Sequence, residues 1–175
     1  MYRSLVAASL SVLALSATAS SQDEPQFTLG AGYERYDFDG VDLDSFVLRG
    51  GYDFNQYWGV EGQLNLGLGD DSVAVGGSTG TVELNYGAGL FGVVRPWSNE
   101  SANVFLRAGY TVTDAEASLA GISVSDDDNA WAFGAGGEWF FSGNNGVRVD
   151  YTRYEFDEGS DADVFGIAYV RRFGG

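Results

Sequence analysis

The sequence predicts an all-β fold: an eight-stranded antiparallel up-and-down β-barrel that spans a membrane. Three observations support this prediction. From residue 26 onward, apolar and polar residues alternate with a period of two, which is typical of strands rather than helices. The alternation falls into eight segments of about ten residues, the length with which a tilted strand crosses a bilayer. The apolar faces of these segments are aromatic at their ends and aliphatic in the middle.

Residues 1–19 are predicted to be a secretory signal peptide, followed by a short segment, residues 20–25. Arg3 supplies the positive charge near the amino terminus, residues 5–17 form the apolar run, and small residues before Ser20 give a cleavage site near Ala19. The apolar run is too short for a transmembrane helix, which needs about 20 residues. The alternative is an N-terminal helix of a cytosolic domain.

The barrel domain is predicted over residues 26–173, with eight strand segments. The segments cover residues 27–34, 45–54, 58–68, 82–95, 103–113, 131–141, 147–152 and 165–173. In order, their apolar faces are Phe27, Leu29, Ala31, Tyr33; Phe46, Leu48, Tyr52, Phe54; Trp58, Val60, Leu64, Leu66, Leu68; Val82, Leu84, Tyr86, Ala88, Leu90, Val94; Val104, Leu106, Ala108, Tyr110, Val112; Trp131, Phe133, Ala135, Trp139, Phe141; Val147, Val149, Tyr151; and Phe165, Ile167, Tyr169, Phe173.

The opposite faces carry glycine, serine, threonine, asparagine and a few charges, and the chain has no lysine. A soluble sandwich or lipocalin would expose lysine and glutamate on its polar face. The pattern therefore favours lipid against the apolar face and a crowded lumen against the polar face. Two aromatic girdles are predicted at the rims. One comprises Phe27, Phe54, Trp58, Phe141 and Phe173, and the other Tyr33, Phe46, Tyr110, Trp131, Phe133, Tyr151 and Phe165.

Long and short connections are predicted to alternate along the barrel. The long ones are residues 37–44, 69–80, 114–129 and 155–163, and the short ones are residues 55–57, 96–102 and 142–146. The long connections contain 16 of the 25 acidic residues and no arginine, so they account for most of the net charge of −16. Because membrane barrels have short periplasmic turns and long external loops, this asymmetry predicts acidic loops on the cell surface.

Inward-facing charges predict a salt-bridge network across the lumen, because charges in a narrow lumen must pair or stay hydrated. The predicted members are Glu34, Arg49, Glu61, Glu83, Arg107, Glu138, Arg148 and Asp150. Asp53, Arg95 and Arg172 share the inward face. Two interpretations stay open: a static, hydrated core, or a gate in which a broken pair opens a small ion path.

Composition excludes several kinds of chemistry. The chain has no histidine and no cysteine, so it offers no Ser-His-Asp triad, no imidazole or thiolate metal site and no disulfide. An acidic chain is also a poor nucleic-acid binder. We expect no cofactor and no enzymatic activity, with an envelope enzyme that uses paired carboxylates as a weaker alternative.

Acidic clusters in two long connections could bind Ca²⁺ or Mg²⁺ weakly, in one interpretation as bridges to lipopolysaccharide. They are Asp70, Asp71, Asp126, Asp127 and Asp128. No EF-hand spacing is present, and solvated acidic loops are the simpler interpretation.

Three stretches resemble the small outer-membrane β-barrel family, the porin-like group that includes the OmpA transmembrane domain and OmpX. They are residues 27–33, residues 51–61 and the final strand, residues 164–173. The resemblance implies an assembly signal, read by the barrel-assembly machinery, on Phe165, Ile167, Tyr169 and Phe173. It also implies inward charged pairs. The lipid A acylase and deacylase barrels of similar size use histidine, which this chain lacks.

Together these features predict a monomeric outer-membrane β-barrel with a structural or surface-interaction role and at most narrow porin-like conductance. Its expected partners are outer-membrane lipid, lipopolysaccharide and the barrel-assembly machinery. The alternative from another class is a soluble periplasmic or secreted β-barrel that binds a hydrophobic ligand. That alternative requires the apolar faces to point into the lumen.

Overall fold

The computed structural model describes residues 25–38, 41–68, 70–75, 78–119, 122–157 and 159–174, with the side chains of all of these except residues 41, 70–85 and 114–128. The described residues form nine β-strands. The strands are β1 (Gln26–Phe38), β2 (Val41–Asp53), β3 (Trp58–Gly67), β4 (Asp70–Val75), β5 (Ser78–Ser98), β6 (Ala102–Leu119), β7 (Ile122–Ser142), β8 (Asn145–Phe156) and β9 (Asp161–Phe173). No helix in this part of the chain is long and apolar enough to cross a membrane. The predicted signal peptide lies outside the described residues.

The strands close into a barrel in which all neighbours are antiparallel. Apart from β3 and β4, consecutive strands pair around the sheet, and β1 pairs with β9 from Phe27 opposite Phe173 to Asp37 opposite Asp163. Both β3 and β4 pair with β5, and between them the Leu68 N–H donates to the Asp44 carbonyl at 2.8 Å. β3 and β4 therefore follow one another along the same edge of β5, and together they form one of the eight strands of the barrel. The predicted eight-stranded up-and-down barrel is confirmed.

Large apolar side chains cover the outside of the barrel and polar side chains fill much of the inside. On β3, Leu64 is 53% exposed, whereas its neighbour Gln63 is 3% exposed. All twelve aromatic residues of the two predicted girdles are exposed. A soluble barrel with a hydrophobic ligand in its lumen requires the reverse arrangement, so that alternative is wrong.

Tight turns join the strands at the end of the barrel where β1 begins and β9 ends, which we call the terminal end. The Asn55 side chain accepts hydrogen bonds from the backbone N–H groups of Tyr57 and Trp58, at 2.8 and 3.0 Å. Asn99 accepts two in the same way, both at 2.8 Å. In the β7–β8 turn, Gly143 has a φ of +53°, which favours glycine.

The opposite end, which we call the ribbon end, carries strand hairpins in place of the long connections predicted there. Pairing continues to Phe38 opposite Val41, Val75 opposite Ser78 and Leu119 opposite Ile122. The predicted connections 37–44, 69–80 and 114–129 are therefore too long. Beyond the aromatic girdle, both faces of a hairpin can be polar, so the alternation disappears although the backbone ladder continues.

Pro96 also differs from the prediction, which made it the first residue of the short connection 96–102. It falls within β5, not in a connection, at a register shift between Val94 and Trp97. Proline has no N–H group for the ladder, and a bulge is one of the places where a strand accepts it.

Candidate functional site in the barrel lumen

Strand alternation directs seven charged side chains into the middle of the lumen. They are Glu34 on β1, Arg49 on β2, Glu61 on β3, Arg107 on β6, Glu138 on β7, and Arg148 and Asp150 on β8. All seven are buried, with at most 7% of each residue exposed. We call this set the lumen cluster.

Inward-facing glycines leave room for these long side chains. A Cβ atom at Gly134 would lie 3.1 Å from Arg107 Nε and 2.5 Å from Thr152 Oγ1. At Gly166, a Cβ atom would lie 2.9 Å from Asp150 Oδ1. The glycine-rich inward faces are thus the space in which the charged side chains pack.

Arg107 lies at the centre of the lumen cluster. Its Nη1 is 3.0 Å from Glu61 Oε1 and donates to Gln63 Oε1 at 2.7 Å. Its Nε donates to Thr152 Oγ1 at 3.1 Å. One guanidinium therefore connects β3, β6 and β8 across the lumen.

Arg148 and Arg49 extend the cluster to either side. Arg148 binds Glu61, donates from Nε to Asp150 Oδ2 at 3.1 Å, and lies 3.6 Å from Glu138 Oε1. Arg49 binds Glu34 and donates to Asp150 Oδ1 at 3.0 Å. Three guanidinium groups thus face four carboxylates, and each carboxylate has at least one arginine within 4.0 Å.

Two inward-facing phenylalanines support the arginines, and the sequence analysis missed both. The guanidinium carbon of Arg107 lies 4.5 Å from the ring centre of Phe91, and that of Arg148 lies 4.1 Å from the ring centre of Phe105. These cation–π contacts hold the arginine planes on the lumen side of β5 and β6. Their positions in the alternation could have identified them. Phe91 lies two residues after Gly89 and Phe105 two residues before Arg107, so both fall on the inward face of their strands.

An apolar layer fills the lumen on the ribbon side of the cluster. Its buried residues are Tyr36, Leu43, Phe91, Ala130, Ala132, Tyr154, Phe156, Ala162 and Val164, with Phe38 packed against them. The ring centres of Tyr36 and Tyr154 lie 5.6 Å apart, and those of Phe38 and Phe156 lie 5.9 Å apart. Gln63 Nε2 donates to Tyr154 Oη at 3.2 Å, which joins this layer to the lumen cluster.

On the terminal side, the lumen opens into a polar cavity of about 430 Å³. Arg95 and Asp53 form an ion pair of 2.6 Å on its wall. Arg172 and Asn103 also line it. The lumen therefore has three layers: apolar, charged and open.

Glu83 is the one predicted network member outside the described side chains. Its backbone lies in β5, opposite Asp70 of β4 and Glu116 of β6. The five aspartates proposed for cation binding lie on strands, not in loops: Asp70 and Asp71 in β4, and Asp126–Asp128 in β7. Among the residues that the structure describes, no group of three or more acidic side chains is placed to hold a metal ion.

The residues predicted to carry the assembly signal lie on the outer face of β9. Phe165, Ile167 and Tyr169 are exposed, and the Phe173 ring centre lies 6.4 Å from that of Phe27 on β1. This contact lies at the seam where the first and last strands close the barrel.

Ion pairs lie at the outer rim of the ribbon end. Arg153 pairs with Asp161 at 2.6 Å and with Asp163 at 3.0 Å, and Arg35 pairs with Asp42. The hydrogen bond from Tyr151, together with that from Arg153, lowers the pKa of Asp163. These rim arginines balance part of the acidity of the ribbon end.

Comparison with known proteins identifies related folds. The family model for the outer membrane protein β-barrel domain matches residues 5–173. The structure of Ail, the attachment invasion locus protein of Yersinia pestis, is similar with a TM-score of 0.60 and 22% identity, over 87% of this chain and 99% of that one. A structure of Ail in complex with the heparin analogue sucrose octasulfate gives the same TM-score and coverage at 23% identity.

The outer membrane protein OprG from Pseudomonas aeruginosa is similar with a TM-score of 0.64 and 12% identity, over 87% of this chain and 97% of that one. At these identities the likeness shows the fold alone. No curated protein matches the sequence.

Proposed function

The chain belongs to the outer membrane protein β-barrel domain family, and we propose that it has a structural or surface-interaction role with a closed lumen. It resides in the bacterial outer membrane, where its outward apolar face contacts lipid. The observation that carries the proposal is the filled lumen, in which ion-paired arginines lie beneath packed aromatic rings. Because the lumen is filled, a partner can contact this barrel only at its outer surfaces and its ends.

We propose that the lumen cluster is static rather than a gate. In support, Arg107, Arg148 and Arg49 each contact at least two carboxylates, so breaking one pair leaves others in place. The apolar layer lies in series with the cluster and contains no charged group. A gate would have to move both layers.

We propose that the terminal end faces the periplasm and the ribbon end the cell exterior. The tight turns at one end and the extended hairpins at the other support this orientation. In this orientation the rim of the ribbon end lies at the level of lipopolysaccharide. Assembly by the barrel machinery through β9 and a monomeric state complete the proposal.

The acidic ribbon end favours cationic surface partners over sulfated ones. The four connections predicted from the sequence hold 16 acidic residues. Ail, by contrast, has been crystallised with a sulfated heparin analogue. At matched low ionic strength, Coulomb attraction should draw this chain to polylysine and repel it from heparin.

Adsorption of the protein in nanodiscs to polylysine-coated and heparin-coated surfaces tests this preference. We expect binding to polylysine that weakens with salt and with the triple variant D126N/D127N/D128N. The control D23N/E24Q/E100Q removes the same charge outside the acidic connections and should bind like wild type. Equal loss in both variants, or preferential binding to heparin, would contradict the proposal.

Weak divalent-cation binding by Asp70, Asp71 and Asp126–Asp128 is a second, separate proposal. Carboxylate oxygens are ligands that Ca²⁺ and Mg²⁺ prefer, and register places Asp126–Asp128 opposite residues 113–115, which include Asp114. Calcium titration by calorimetry should give heat that D126N/D127N/D128N reduces and that the further changes D70N and D71N remove. If wild type gives no heat, these carboxylates are simply solvated.

We also propose that the chain is not an enzyme. Every carboxylate of the lumen cluster is engaged by arginine, so none is placed as a free general acid or base. Detection of hydrolase activity on lipid A or glycosidic substrates that E61Q abolishes would overturn this.

A further inference from the structure

A shallow apolar depression of about 510 Å³ lies on the outer, lipid-facing side of the barrel. Its outward-facing lining comes from β6 to β9 and consists of Val104, Ala135, Gly137, Val149, Tyr151 and Phe165. The wall is low here because Gly137 has no side chain and Ala135 has only a methyl group. On either side of them along β7, Phe133 and Trp139 are 49% and 59% exposed and rise above the depression.

An arginine lies on the same outer face, nearer the terminal end. Arg171 on β9 is exposed, and its guanidinium carbon lies 5.2 Å from the ring centre of Phe173, the next outward-facing residue toward that end. The side chain therefore extends along the barrel surface to the aromatic girdle, as long cationic side chains do at a membrane interface.

Arg171 differs from the outward-facing arginines of the ribbon end. Arg35 and Arg153 are both paired with aspartates, whereas Arg171 forms no ion pair with any side chain that the structure describes. Because the outer face contacts lipid, the anions that reach this position are lipid phosphates.

A second polar side chain lies beside Arg171. Asn145 on β8 is directly opposite Arg171 in the register, and its Oδ1 accepts a hydrogen bond from the Tyr169 hydroxyl. Its NH₂ group, which has two N–H donors, donates to the Ser142 carbonyl at 3.3 Å. Arg171 and Asn145 therefore place a guanidinium and an amide donor side by side, a pair that suits a phosphodiester.

The depression lies in line with this polar pair along β8 and β9. Ile167 is opposite Val149 of the lining, and Arg171 is four residues further along β9. Four residues of a strand span about 13 Å at about 3.3 Å per residue. Half of the hydrocarbon core of a bilayer is about 15 Å thick, so an acyl chain whose headgroup lies at Arg171 reaches the depression.

We propose that this surface binds one glycerophospholipid of the leaflet at the terminal end. The phosphodiester binds Arg171 and Asn145, and one acyl chain lies over Val147 and enters the depression. Because no described carboxylate pairs with Arg171 or is placed there to receive a cationic headgroup, the site favours anionic phosphatidylglycerol over zwitterionic phosphatidylcholine.

This inference rests on the proposed orientation only for the assignment of that leaflet to the periplasmic side. Reconstitution places the same lipids in both leaflets, so lipid binding can be tested whichever end faces the periplasm. Failure of the lipid site and failure of the orientation are therefore distinguishable.

Native mass spectrometry of the full chain released from nanodiscs tests the site. The nanodiscs contain equal amounts of phosphatidylglycerol and phosphatidylcholine with the same acyl chains. We expect one lipid to stay bound to each barrel, with phosphatidylglycerol favoured about fivefold, the effect of one basic side chain at a membrane surface. Soluble glycerol phosphate should not displace it, because the acyl chain contributes to binding.

Neighbouring arginines on β9 provide a matched control for the headgroup. R171Q should retain the two lipids about equally. R172Q removes the same charge from the lumen side, where Arg172 lines the polar cavity, and should keep the preference of wild type.

Two outward-facing alanines provide the control for the acyl chain. A135L fills the depression and should reduce the retention of both lipids. A88L adds the same side chain to the outer face of β5, outside the depression, and should bind like wild type. Heat-modifiable gel mobility verifies that each variant folds.

The proposal would be overturned if wild type retained no lipid or both lipids equally, if R171Q and R172Q had equal effects, or if A135L and A88L did. Displacement of the lipid by glycerol phosphate would also overturn it, since the site would then bind phosphate without a chain. If R171Q does not fold, the lipid preference of wild type and the two alanine variants still decide the question.

Discussion

Arg107 shows how strongly individual residues of the lumen depend on one another. It is 3% exposed and contacts Glu61, Gln63 and Thr152 while stacking on Phe91. Removing it would leave the four carboxylates of the cluster facing two arginines. A buried charge that loses its partner is destabilising even where the intact pair contributes little net stability.

We predict that R107Q lowers the free energy of unfolding by about 3–5 kcal/mol. Urea-dependent loss of the heat-modifiable gel band in lipid vesicles measures it. The control is R153Q at the solvent-exposed rim, where solvent screens the ion pairs with Asp161 and Asp163 and their loss should destabilise the barrel far less. Equal costs for the two variants would show that the lumen cluster does not stabilise the barrel.

The sequence could predict a residue of the site where polar inward-facing residues alternate clearly with apolar outward-facing ones. The seven described members of the lumen cluster were named from their alternation with apolar neighbours alone. Phe91 was missed because Leu90 and Val93 lie close to it, so both faces of β5 are apolar there. Tyr154 and Phe156 were missed because the alternation of β8 reverses at that point: the outward residues Arg153 and Glu155 are polar, and the inward residues become apolar.

At the level of elements, close packing between strands depends on glycine at particular positions. A Cβ atom at Gly136 on β7 would lie 2.5 Å from both Phe105 Cζ and the Val149 carbonyl oxygen. At Gly92 on the outer face of β5, the nearest atom would be the Ala108 carbonyl oxygen at 3.9 Å. Of these two glycines, the inward-facing Gly136 has no space for a side chain, whereas the outward-facing Gly92 has.

We predict that G136A destabilises the barrel by about 1–3 kcal/mol through overpacking. G92A should be neutral or slightly stabilising, because alanine restricts the unfolded chain and meets no clash. The same urea assay compares them. A destabilised G92A with an unchanged G136A would contradict the packing described for β6, β7 and β8.

Element boundaries were predicted less well than element faces. Alternation is imposed by the change from lipid to lumen, so it marks the membrane-spanning part of each strand. The hairpins at the ribbon end continue through backbone hydrogen bonds, which leave no comparable pattern in the sequence. Their length was therefore underestimated, while strand number and direction were correct.

At the scale of the whole molecule, the two ends of the barrel differ in turn length and charge. The chain has no cysteine, so single cysteine substitutions report exposure without background. Ser160 lies at the ribbon end and Ser142 at the terminal end, and both are exposed. They form a matched pair for testing the proposed orientation.

We predict that S160C reacts with a membrane-impermeant maleimide in intact cells, because the ribbon end faces outward. S142C should react only after the outer membrane is permeabilised. Mass shift on a gel measures both reactions. Labelling of S142C in intact cells, with S160C protected, would reverse the orientation.

The closed lumen is the central claim, and conductance in planar lipid bilayers tests it most directly. The lumen cluster and the apolar layer lie in series, so the purified wild-type barrel should give no discrete conductance steps. R107A should behave in the same way, because the apolar layer remains. Stable steps from wild type, or steps that appear only in R107A, would contradict a static, closed barrel.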